Sequence, residues 1–532
     1  MYALFENTAK RFAERPFLRA PAASTAAYAD GAIEYSYAGA RTAAEVLSGI
    51  YRSLDIGESA RVAIAFDSRL DVYLHLLALN RIGASVVPLN LAGSDEEVRY
   101  VVDHSDARLV VCANEYKDRL SSIVESVRGV GVVPEADLPS FGNDARGEVA
   151  AGDDATEAAM LYTSGTTGKP KGCILSNEYF LTMGRAYGEL GGLCSISESD
   201  RLLTPLPPNH MNALSTSFMA MLRCGGCVIQ LDRFHPRSWW QTVREEKATV
   251  IHYLGVMPAI LLTMGRQDDD FGGQIRFGFG AGSDPKHQRV FEERFGFPLI
   301  EAWAMTETGG GAMIVANREP RHVGKRCIGR PIPGTAYRVA DKHGEAVSPG
   351  ADGELLVRAE GDRPRAGFFT AYYKDEAATE HGWRGGWWHT GDIVREGSDG
   401  SLYFVDRSKN VIRRSGENIA AIEVETVLLR VDGIVNCAVT AVPDEMRGDE
   451  VFALVVTDGP TDEAAARGIF NSAMESMTYF KVPGYIAFVD ELPLTGSQKV
   501  NRAAVKTLAR ASVEDESAFD LRPGKKRHRR AR

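Results

Sequence analysis

The sequence predicts an α/β protein with a large N-terminal domain of layered α/β subdomains, a β-rich subdomain and a small α+β domain at its C-terminal end. Three observations lead to this prediction. Apolar strand-like runs alternate with helical patterns up to about residue 335, and short strands with Gly and Asp turns follow. Near residue 407 a small unit begins in which helical patterns and strand-like runs are mixed. Apolar strands that alternate with helices are typical of parallel strands buried on both faces. A length of 532 residues fits about two to four domains.

In the first region, apolar residues at helical spacing predict an opening helix over residues 5–13. The alternation of strands and helices continues from there. A second helix is predicted at 71–81, and strands are predicted at 62–66, 85–88, 108–113, 228–231, 249–253, 275–278 and 299–302.

The second region, after residue 335, contains short predicted strands at 353–357 and 399–404. The small C-terminal domain has predicted helices at 419–430 and 461–477 and predicted strands at 435–442, 451–456 and 485–489. The last residues are basic and without pattern, so we expect them to be disordered. The predicted boundaries are therefore 1–406 for the N-terminal domain, 407–520 for the C-terminal domain and 521–532 for the tail.

The composition excludes several classes of protein. Apolar residues make up 44% and charged residues 25% of the chain, as in ordinary globular proteins. A net charge of −10 argues against a general nucleic-acid binder. Seven scattered cysteines fit a reducing compartment. Without an apolar run of about 18 residues or a signal-peptide pattern, we expect no membrane span and a cytoplasmic location. The sequence leaves a homodimer open.

The stretch from Leu161 to Gly172 carries the strongest chemical signal. It combines four serine or threonine side chains, three glycines and two lysines. Glycine lets the backbone approach phosphate oxygens, consecutive N–H groups form an anion nest, and lysine balances polyphosphate charge. The spacing differs from the common P-loop pattern, and Pro170 prevents a helix from starting directly after Lys169. The predicted phosphate ligands are Thr163, Ser164, Gly165, Thr166, Thr167, Gly168 and Lys169, with Lys171 as an additional charge.

This segment closely resembles the signature loop of the adenylate-forming superfamily, which includes acyl-CoA synthetases, firefly luciferase and the adenylation domains of nonribosomal peptide synthetases. Five motifs of that superfamily occur in the family's order over nearly the whole chain. The resemblance implies that the chain uses ATP and Mg²⁺ to convert a carboxylic acid to an acyl-adenylate, with release of pyrophosphate. It further implies transfer of the acyl group to coenzyme A.

The second motif, Glu301 to Thr308, follows a predicted strand and resembles the family's tyrosine-glycine-x-threonine-glutamate sequence. By this resemblance, Thr306 contacts the α-phosphate or the acyl carboxylate. Glu307, together with Thr163, binds Mg²⁺, which prefers hard oxygen ligands. Trp303 takes the family's tyrosine position and can cover adenine. The resemblance assigns Glu301, Ala302 and Trp303 to the nucleotide site.

The remaining motifs lie in the last third of the chain. Asp392 resembles the family's ribose ligand, and Arg407 resembles the arginine that meets ribose or phosphates. Lys409 occupies the position of the hinge about which the family's mobile C-terminal domain rotates. The loop around Gly416 resembles the segment that lines the pantetheine path. Lys499 matches the family's catalytic lysine.

Two further segments resemble those that shape the family's acid pocket. The segment 205–212 supplies His210 as the gating and catalytic candidate. The glycine-rich segment 278–283 resembles the strand end that passes between adenine and the acyl chain, where small residues admit a flat ring. The predicted nucleotide contacts here are Gly280, Ala281 and Gly282, and the predicted pocket residues are Asn212, His252, Gly255, Gly278 and Phe279. No lysine or arginine stands among them, which favours a hydrophobic acid.

Two alternatives remain open. An adenylating enzyme of this kind could load a carrier protein, or stop at the adenylate. Around the last motifs, however, the chain looks closest to crotonobetaine/carnitine-type and fatty-acyl CoA ligases. A nucleotide-binding regulator that has lost catalysis is disfavoured, because the glycine-rich loop, Glu307 and Lys499 are intact.

Overall fold

A computed structural model describes residues 1–141, 152–163, 170–265, 273–407, 410–414, 417–444, 447–495 and 499–525. The chain divides into two compact units. Unit 1 contains Met1–Arg338, Leu356–His389 and Gly397–Tyr403, and unit 2 contains Val339–Leu355, Thr390–Glu396 and Phe404–Arg532.

The first part of unit 1 builds a mostly parallel sheet. The helices are α1 (Tyr2–Arg11), α2 (Ala22–Thr25), α3 (Tyr37–Ser53), α4 (Asp71–Arg81), α5 (Asp95–His104) and α6 (Lys117–Val124). The strands are β1 (Pro16–Ala20), β2 (Ile33–Ser36), β3 (Arg61–Ala65), β4 (Ser85–Pro88), β5 (Leu109–Cys112), β6 (Gly131–Pro134), β7 (Glu157–Thr163) and β8 (Lys171–Ser176). Strands β3 to β8 form a sheet of order β6-β5-β3-β4-β7-β8, in which β7 and β8 pair antiparallel and the other described pairs are parallel. Strands β1 and β2 belong to the second sheet and pair antiparallel with each other. Local sequence sets helix starts: Ser94 and Glu97 form a reciprocal capping box on α5.

The second part of unit 1 builds another parallel sheet. The helices are α7 (Asn177–Gly188), α8 (Phe218–Cys224), α9 (Trp239–Glu245), α10 (Val256–Thr263) and α11 (Pro285–Phe295). The strands are β9 (Arg201–Thr204), β10 (Cys227–Gln230), β11 (Val250–Leu254), β12 (Phe277–Ala281), β13 (Leu299–Trp303), β14 (Ile314–Val315) and β15 (Cys327–Pro331). Together with β1 and β2, these strands are ordered β2-β1-β10-β9-β11-β12-β13-β14-β15 in the sheet. Neighbouring strands in this order are parallel from β1 through β13. An apolar cluster that includes Trp239, Trp240 and Phe291 packs the helices against this sheet.

The β-rich region consists of β16 (Thr335–Ala340), β17 (Asp352–Ala359), β18 (Trp388–Glu396) and β19 (Leu402–Arg407), with α12 (Glu376–Gly382) between β17 and β18. The chain passes from one unit to the other within these four strands. The short strands predicted after residue 335 are thus confirmed.

Unit 2 ends in an α+β fold. Its elements are β20 (Val411–Arg414), β21 (Glu417–Ala420), α13 (Ala421–Leu428), β22 (Ile434–Asp444), β23 (Gly448–Thr457), α14 (Glu463–Ser476), β24 (Tyr485–Phe488), α15 (Arg502–Glu514) and β25 (Phe519–Asp520). The central strand β23 alternates between two cores, with Val451 facing the cluster of α13 and α14 and Phe452 facing the cluster of α15. This period-2 alternation is that of a sheet covered on both faces.

The structure corrects several predicted boundaries and adds helices that were not predicted. The helix predicted at 5–13 is Tyr2–Arg11, and the strand predicted at 399–404 is Leu402–Arg407. The strand predicted at 275–278 begins at Phe277. The helix predicted from 419 begins at Ala421, because Ile419 pairs with Ile412 in a β-hairpin. The tail predicted from 521 is structured as far as Lys525, where Leu521 is buried and the Lys525 ammonium contacts Glu450. Helix α15 was not predicted.

Candidate active site

The carboxyl ends of the parallel strands β11, β12 and β13 meet at one edge of the second sheet, and several predicted site residues follow them. Gly255 comes directly after β11, Gly282 directly after β12 and Thr306 shortly after β13. Ligands of open α/β sheets bind outside the carboxyl ends of strands. Thr306 is half-buried, and Trp303, at the end of β13, is 6% exposed. Ala302 pairs with Val315 in the neighbouring strand.

Glu301 holds the segment after β12 in place. Its carboxylate accepts hydrogen bonds from the backbone N–H of Gly282 at 2.8 Å and of Ser283 at 3.2 Å, and from the Tyr253 hydroxyl at 2.8 Å. Burial raises the pKa of Glu301, while these hydrogen bonds lower it. The Glu301 carboxylate is therefore engaged in hydrogen bonds within the protein, and these bonds position the glycine-rich segment after β12.

Close packing explains the small residues of this edge. A Cβ on Gly255 would lie 1.7 Å from the carbonyl oxygen of Gly282, and one on Gly280 would lie 2.2 Å from the carbonyl oxygen of Tyr253. Gly278 lies against the side chain of Leu299 on the next strand. Ala281 is the last residue of β12 and is exposed. Neighbouring strands thus already require glycine at these positions.

The ends of the glycine-rich loop are held by the β7–β8 hairpin, in which Thr163 pairs with Lys171. Beside β8 runs the segment 370–373, through backbone hydrogen bonds such as that from Tyr373 to Gly172 at 2.7 Å. The Lys171 ammonium lies 3.1 Å from the Asp375 carboxylate and 4.8 Å from the centre of the Tyr372 ring.

Tyr372 connects this hairpin with Glu307. Its hydroxyl donates a hydrogen bond of 2.6 Å to Glu307 Oε1, and burial, followed by the charge of Glu307, raises the pKa of Tyr372. Glu307 is 7% exposed, and its backbone carbonyl accepts from Phe369 at 2.9 Å. The structure therefore brings Thr163, Lys171 and Glu307 into one neighbourhood through Tyr372.

The predicted acid-pocket residues His252 and Phe279 lie in the core. Both are almost fully buried, at 0% and 2% exposure. The Phe279 ring stacks on Tyr187, with 4.5 Å between ring centres. The Tyr187 hydroxyl lies 3.0 Å from His252 Nε2, and the Ser217 hydroxyl lies 2.7 Å from His252 Nδ1. Burial lowers the pKa of His252 to about 3.

The hydrogen bonds assign a tautomer to this histidine. The Ser217 hydroxyl donates to the Asn212 carbonyl oxygen, so it accepts from His252 Nδ1. Asn212 Oδ1 lies 3.1 Å from the same nitrogen and is also an acceptor. His252 is therefore neutral with its proton on Nδ1, and Tyr187 donates to Nε2. Asn212 to Ser217 form a π-helical turn before α8, a feature that is frequent at functional sites.

His210 precedes this turn and is half-buried. Its backbone carbonyl accepts from the N–H of Leu214 at 3.0 Å. The next residue, Met211, receives a weak hydrogen bond from the Tyr179 hydroxyl to its sulfur. The Tyr179 ring in turn occupies the space that a side chain at Gly309 would need.

Unit 2 holds the remaining predicted residues. Arg407 Nε lies 2.9 Å from Asp392 Oδ1, and their side chains are 46% and 2% exposed. The neighbouring Asp406 accepts from the backbone N–H of Arg407 at 2.6 Å and of Ile422 at 3.1 Å, which anchors the start of α13.

The backbone carbonyl of Lys499 accepts a hydrogen bond from the N–H of Thr495 at 2.7 Å. Burial of its ammonium, and then the like charge of Arg407, lower the pKa of Lys499, although the residue keeps solvent access.

Several predicted residues lie outside the described residues: Ser164, Gly165, Thr166, Thr167, Gly168, Lys169, Lys409 and Gly416. Within the described ranges, no cluster of three or more His, Cys, Asp or Glu side chains is arranged to hold a metal ion. None of the helices in the described part of the chain has the length and apolar character that crossing a bilayer requires.

Sequence reasoning missed three residues of this region: Tyr372, which holds Glu307, and Tyr187 and Ser217, which hold His252. The pair Tyr372-Tyr373 before Asp375 was a possible signal, because two aromatic residues in a polar connection are unusual. Tyr187 and Ser217 resemble ordinary helix residues and gave no signal.

Comparisons with known proteins identify relatives of this chain. Residues 5–364 match the family described as AMP-binding enzyme, and residues 423–499 match the AMP-binding enzyme C-terminal domain. Sulfoacetate–CoA ligase of Cupriavidus necator is 30% identical, over 94% of this chain and 96% of the relative. Crotonobetaine/carnitine–CoA ligase of Proteus mirabilis is 28% identical, over 88% of this chain and 92% of the relative. The 2-succinylbenzoate–CoA ligase of Bacillus licheniformis is 29% identical, over 86% and 92%.

Solved structures support the fold. The crystal structure of ATP-bound MatB from Rhodopseudomonas palustris aligns with a TM-score of 0.82 at 24% identity, over 95% of this chain and 98% of that one. The o-succinylbenzoate CoA synthetase from Bacillus subtilis with its acyl-adenylate aligns with a TM-score of 0.83 at 23% identity, over 94% and 97%. The predicted α/β architecture with a small C-terminal domain is confirmed.

Proposed function

The chain belongs to the AMP-binding enzyme family, and on that premise we propose that it is an AMP-forming acid–thiol ligase. It activates a carboxylic acid with ATP and transfers the acyl group to coenzyme A. The observation that carries this proposal is that Tyr372 holds Glu307 beside the Thr163–Lys171 hairpin. The relatives that match this chain over almost their full length are named as CoA ligases, which supports it.

The first step is attack of a carboxylate oxygen on the α-phosphorus of ATP. A new C(O)O–P bond forms, and the bond to the leaving pyrophosphate breaks. Catalysis of such a step consists mainly of positioning and charge stabilisation. Lys171 and the glycine-rich loop to Lys169 supply cationic and N–H donors for the phosphates. Thr306 orients the α-phosphate or the acid carboxylate, and Lys499 neutralises charge at the reacting phosphoryl group.

A magnesium ion is implied by the family, and Glu307 fits the requirement. Mg²⁺ usually takes one or two protein carboxylates and completes its shell with phosphate oxygens and water. Tyr372 holds one oxygen of Glu307 by hydrogen bonding, which presents the carboxylate in one orientation, and Thr163 is the candidate second ligand. When bound, the ion neutralises phosphate charge.

The nucleoside is assigned to two groups of residues. Asp392, with Arg407 beside it, is proposed to accept the ribose hydroxyls, since a buried carboxylate suits two hydroxyl donors. The edge formed by Gly280 to Gly282 and by Glu301 to Trp303 is proposed to hold adenine. The rigid Glu301 hydrogen bonds support this assignment, because a preorganised wall binds a flat ring at lower entropic cost.

The second step is attack of the coenzyme A thiolate on the acyl carbonyl, with AMP as the leaving group. The family resemblance assigns the hinge to Lys409, the pantetheine path to the loop at Gly416 and mobility to the domain from residue 407. Rotation about the hinge would withdraw Lys499 after adenylation.

The acid is proposed to be hydrophobic. His210, Met211 and Asn212 are half-buried and lie around the start of the π-helical turn, where Asn212 Oδ1 is 3.1 Å from His252 Nδ1. Gly255, Gly278 and Phe279 are proposed to complete the pocket. His252 is neutral, so it offers no charge to a second acidic group. The printed substrates of the relatives differ from one another, so they do not select one acid.

A panel of acids tests the proposal. Medium-chain, aromatic and dicarboxylic acids are each supplied with MgATP, and acid-dependent ATP–pyrophosphate exchange is measured. We expect exchange with at least one hydrophobic acid. Consumption of coenzyme A is then compared with transfer to carrier proteins, and exclusive transfer to a carrier protein would contradict the thioester assignment.

A further inference from the structure

The last described residues of unit 2, 519–525, form a C-terminal segment that is bound to the rest of the unit at several points. The backbone N–H of Leu521 donates to the carbonyl oxygen of Gly484 at 2.8 Å, and Leu521 is 3% exposed. The Arg522 guanidinium lies 3.1 Å from Asp444 Oδ2. The proposed function gives this segment no role, although the contacts fix it firmly in place.

The C-terminal segment ends in a buried ion cluster. The Lys525 side chain is 1% exposed, and its ammonium lies 2.5 Å from Glu450 Oε1. The same oxygen of Glu450, which is fully buried, accepts from Arg414 Nε at 2.9 Å. A Cβ on Gly484 would lie 2.6 Å from Glu450 Cδ, so backbone encloses the carboxylate. Burial lowers the pKa of Lys525 to about 8 against the attraction of Glu450, and the lysine therefore keeps its charge near neutral pH.

Arg414 attaches the β20–β21 hairpin to the central strand of the sheet. It is the last residue of β20, where it pairs with Glu417 of β21 and with Gly448 of β23. Gly416, which the family resemblance assigns to the pantetheine path, follows Arg414 by two residues. The ion cluster thus lies at the base of the hairpin that carries a predicted coenzyme A contact.

Lys525 completes the fixation of this base. Glu450 Oε1 accepts from Lys525, from Arg414 and from the backbone N–H of Val451 at 2.9 Å. A buried ionic network depends on every partner, because each hydrogen bond in a low dielectric strengthens the others. Without Lys525, Glu450 and Arg414 still form a balanced pair, so the fold is retained. The carboxylate nevertheless loses one of its two cations, and the orientation of Arg414 is less restrained.

We propose that Lys525 is a positioning residue for the thioester step: through Glu450 and Arg414 it fixes the β20–β21 hairpin for the pantetheine arm of coenzyme A. The coupling of Lys525 to the hairpin stands on its own contacts, whereas the effect on coenzyme A rests on the proposed function. Adenylation uses none of these three residues in the proposed mechanism and is therefore unaffected by the loss of the lysine.

The first experiment measures hydrogen–deuterium exchange of the full chain near neutral pH. Lys525→Met removes the charge and keeps an unbranched side chain. We expect the backbone amides of residues 411–414 and 417–420 to exchange about fivefold faster or more in this variant, because local opening of the hairpin becomes less costly. Lys525→Arg, which retains a cation, stays closer to the wild type.

The matched control is Lys506→Met, which removes an exposed lysine of α15 and leaves the hydrogen exchange of the hairpin unchanged. Urea unfolding monitored by circular dichroism verifies folding of each variant. Equal exchange of the hairpin in Lys525→Met and the wild type would overturn the proposal. A uniform increase over all strands of unit 2 also overturns it, because that result indicates a role in stability alone.

The second experiment separates the two half-reactions. In Lys525→Met the KM for coenzyme A in thioester formation rises about fivefold, while the KM for MgATP and the rate of acid-dependent ATP–pyrophosphate exchange stay unchanged. Lys525→Arg restores most of the affinity for coenzyme A. Equal losses in both half-reactions would remove the positioning role. A chain that forms no thioester with any acid refutes the proposed function, and the hydrogen exchange still decides whether Lys525 fixes the hairpin.

Discussion

The candidate residues of unit 1 and those of unit 2 lie in opposite surroundings. In unit 1, Glu307 is 7% exposed and fixed by Tyr372. In unit 2, Arg407 keeps 46% of its side chain exposed, and Lys499 is exposed as well. The difference teaches that Glu307 is held in a preset position by a buried neighbour, whereas Arg407 and Lys499 keep more access to solvent.

His252 in unit 1 and Glu450 in unit 2 represent two kinds of buried polar group. Unit 1 buries a neutral network around His252. Unit 2 buries ions: Glu450, fully buried, accepts from Arg414 Nε at 2.9 Å and from Lys525 Nζ at 2.5 Å. Burial lowers the pKa of Lys525 to about 8 despite the attraction of Glu450. A neutral network costs little to bury, whereas an ionic one depends on every partner.

The largest effect on stability is expected when the negative charge of Glu450, which pairs with two buried cations of unit 2, is removed. Glu450→Gln leaves Arg414 and Lys525 facing each other without a countercharge, so we expect the free energy of unfolding to fall by about 3–5 kcal/mol. The matched control is Glu423→Gln, whose partner Lys481 lies in a half-exposed pair and which should cost less than about 1 kcal/mol. Urea unfolding monitored by circular dichroism measures both, and equal losses would refute the distinction between buried and exposed pairs.

Lys499→Ala should separate activity from stability in the same unit. We expect acid-dependent pyrophosphate release to fall on the order of 10²–10³-fold or more, the scale of removing a main charge-stabilising group. Because Lys499 is exposed, the unfolding midpoint should stay unchanged. Lys506→Ala, an exposed lysine on α15, is the control. Near-wild-type pyrophosphate release by Lys499→Ala would end its assignment as the catalytic lysine.

The neutral network of unit 1 should make stability depend on pH. Burial lowers the pKa of both His252 and His75 to about 3, whereas the free side chain titrates near about 6.5. Between these values the unfolded chain binds more protons than the folded one. The contribution of these two histidines to stability is therefore fully present above pH about 6.5 and is lost toward pH about 3, by about 1.4 kcal/mol per pH unit for each histidine.

Urea unfolding at several pH values measures this slope. His252→Gln should reduce the slope by one histidine's share, and His381→Gln, at an exposed position, should leave it unchanged. A slope that is the same in His252→Gln and the wild type would show that His252 is not a buried neutral group.

Tyr372→Phe tests the preset position of Glu307. Loss of a hydrogen bond to a carboxylate corresponds to about 1.5 kcal/mol or more, so we expect kcat/KM for MgATP in pyrophosphate exchange to fall about tenfold. Tyr373→Phe removes the neighbouring hydroxyl, which contacts exposed Asp106 instead, and should have little effect. If the two variants behave alike, the hydroxyl of Tyr372 does not position Glu307.

The smallest effect on adenylation is expected at the predicted hinge. Lys409→Pro restricts backbone rotation, so thioester formation should fall more than pyrophosphate release. The two rates are measured separately with and without coenzyme A. Equal losses in both half-reactions would count against the hinge.

Most of the candidate residues could be named from the sequence because they lie in contiguous motifs. Asp392 and Arg407 were named as nucleotide ligands, and their side chains are 2.9 Å apart. Tyr372 could not be predicted, because its partner Glu307 is 65 residues away. His252 and Phe279 were expected to line a pocket, but both are buried in the core. Their burial depends on α7, whose Tyr187 ring packs on Phe279.

The sequence by itself determined the fold class, the family and the order of the motifs, because glycine-rich loops, hydroxyls and alternating apolar runs act over a few residues. Only the tertiary structure decided which charges are buried. The parallel sheet brings Glu301 to Gly282, and the C-terminal sheet brings Lys525 to Glu450 across 75 residues. Desolvation and hydrogen bonding depend on such distant neighbours.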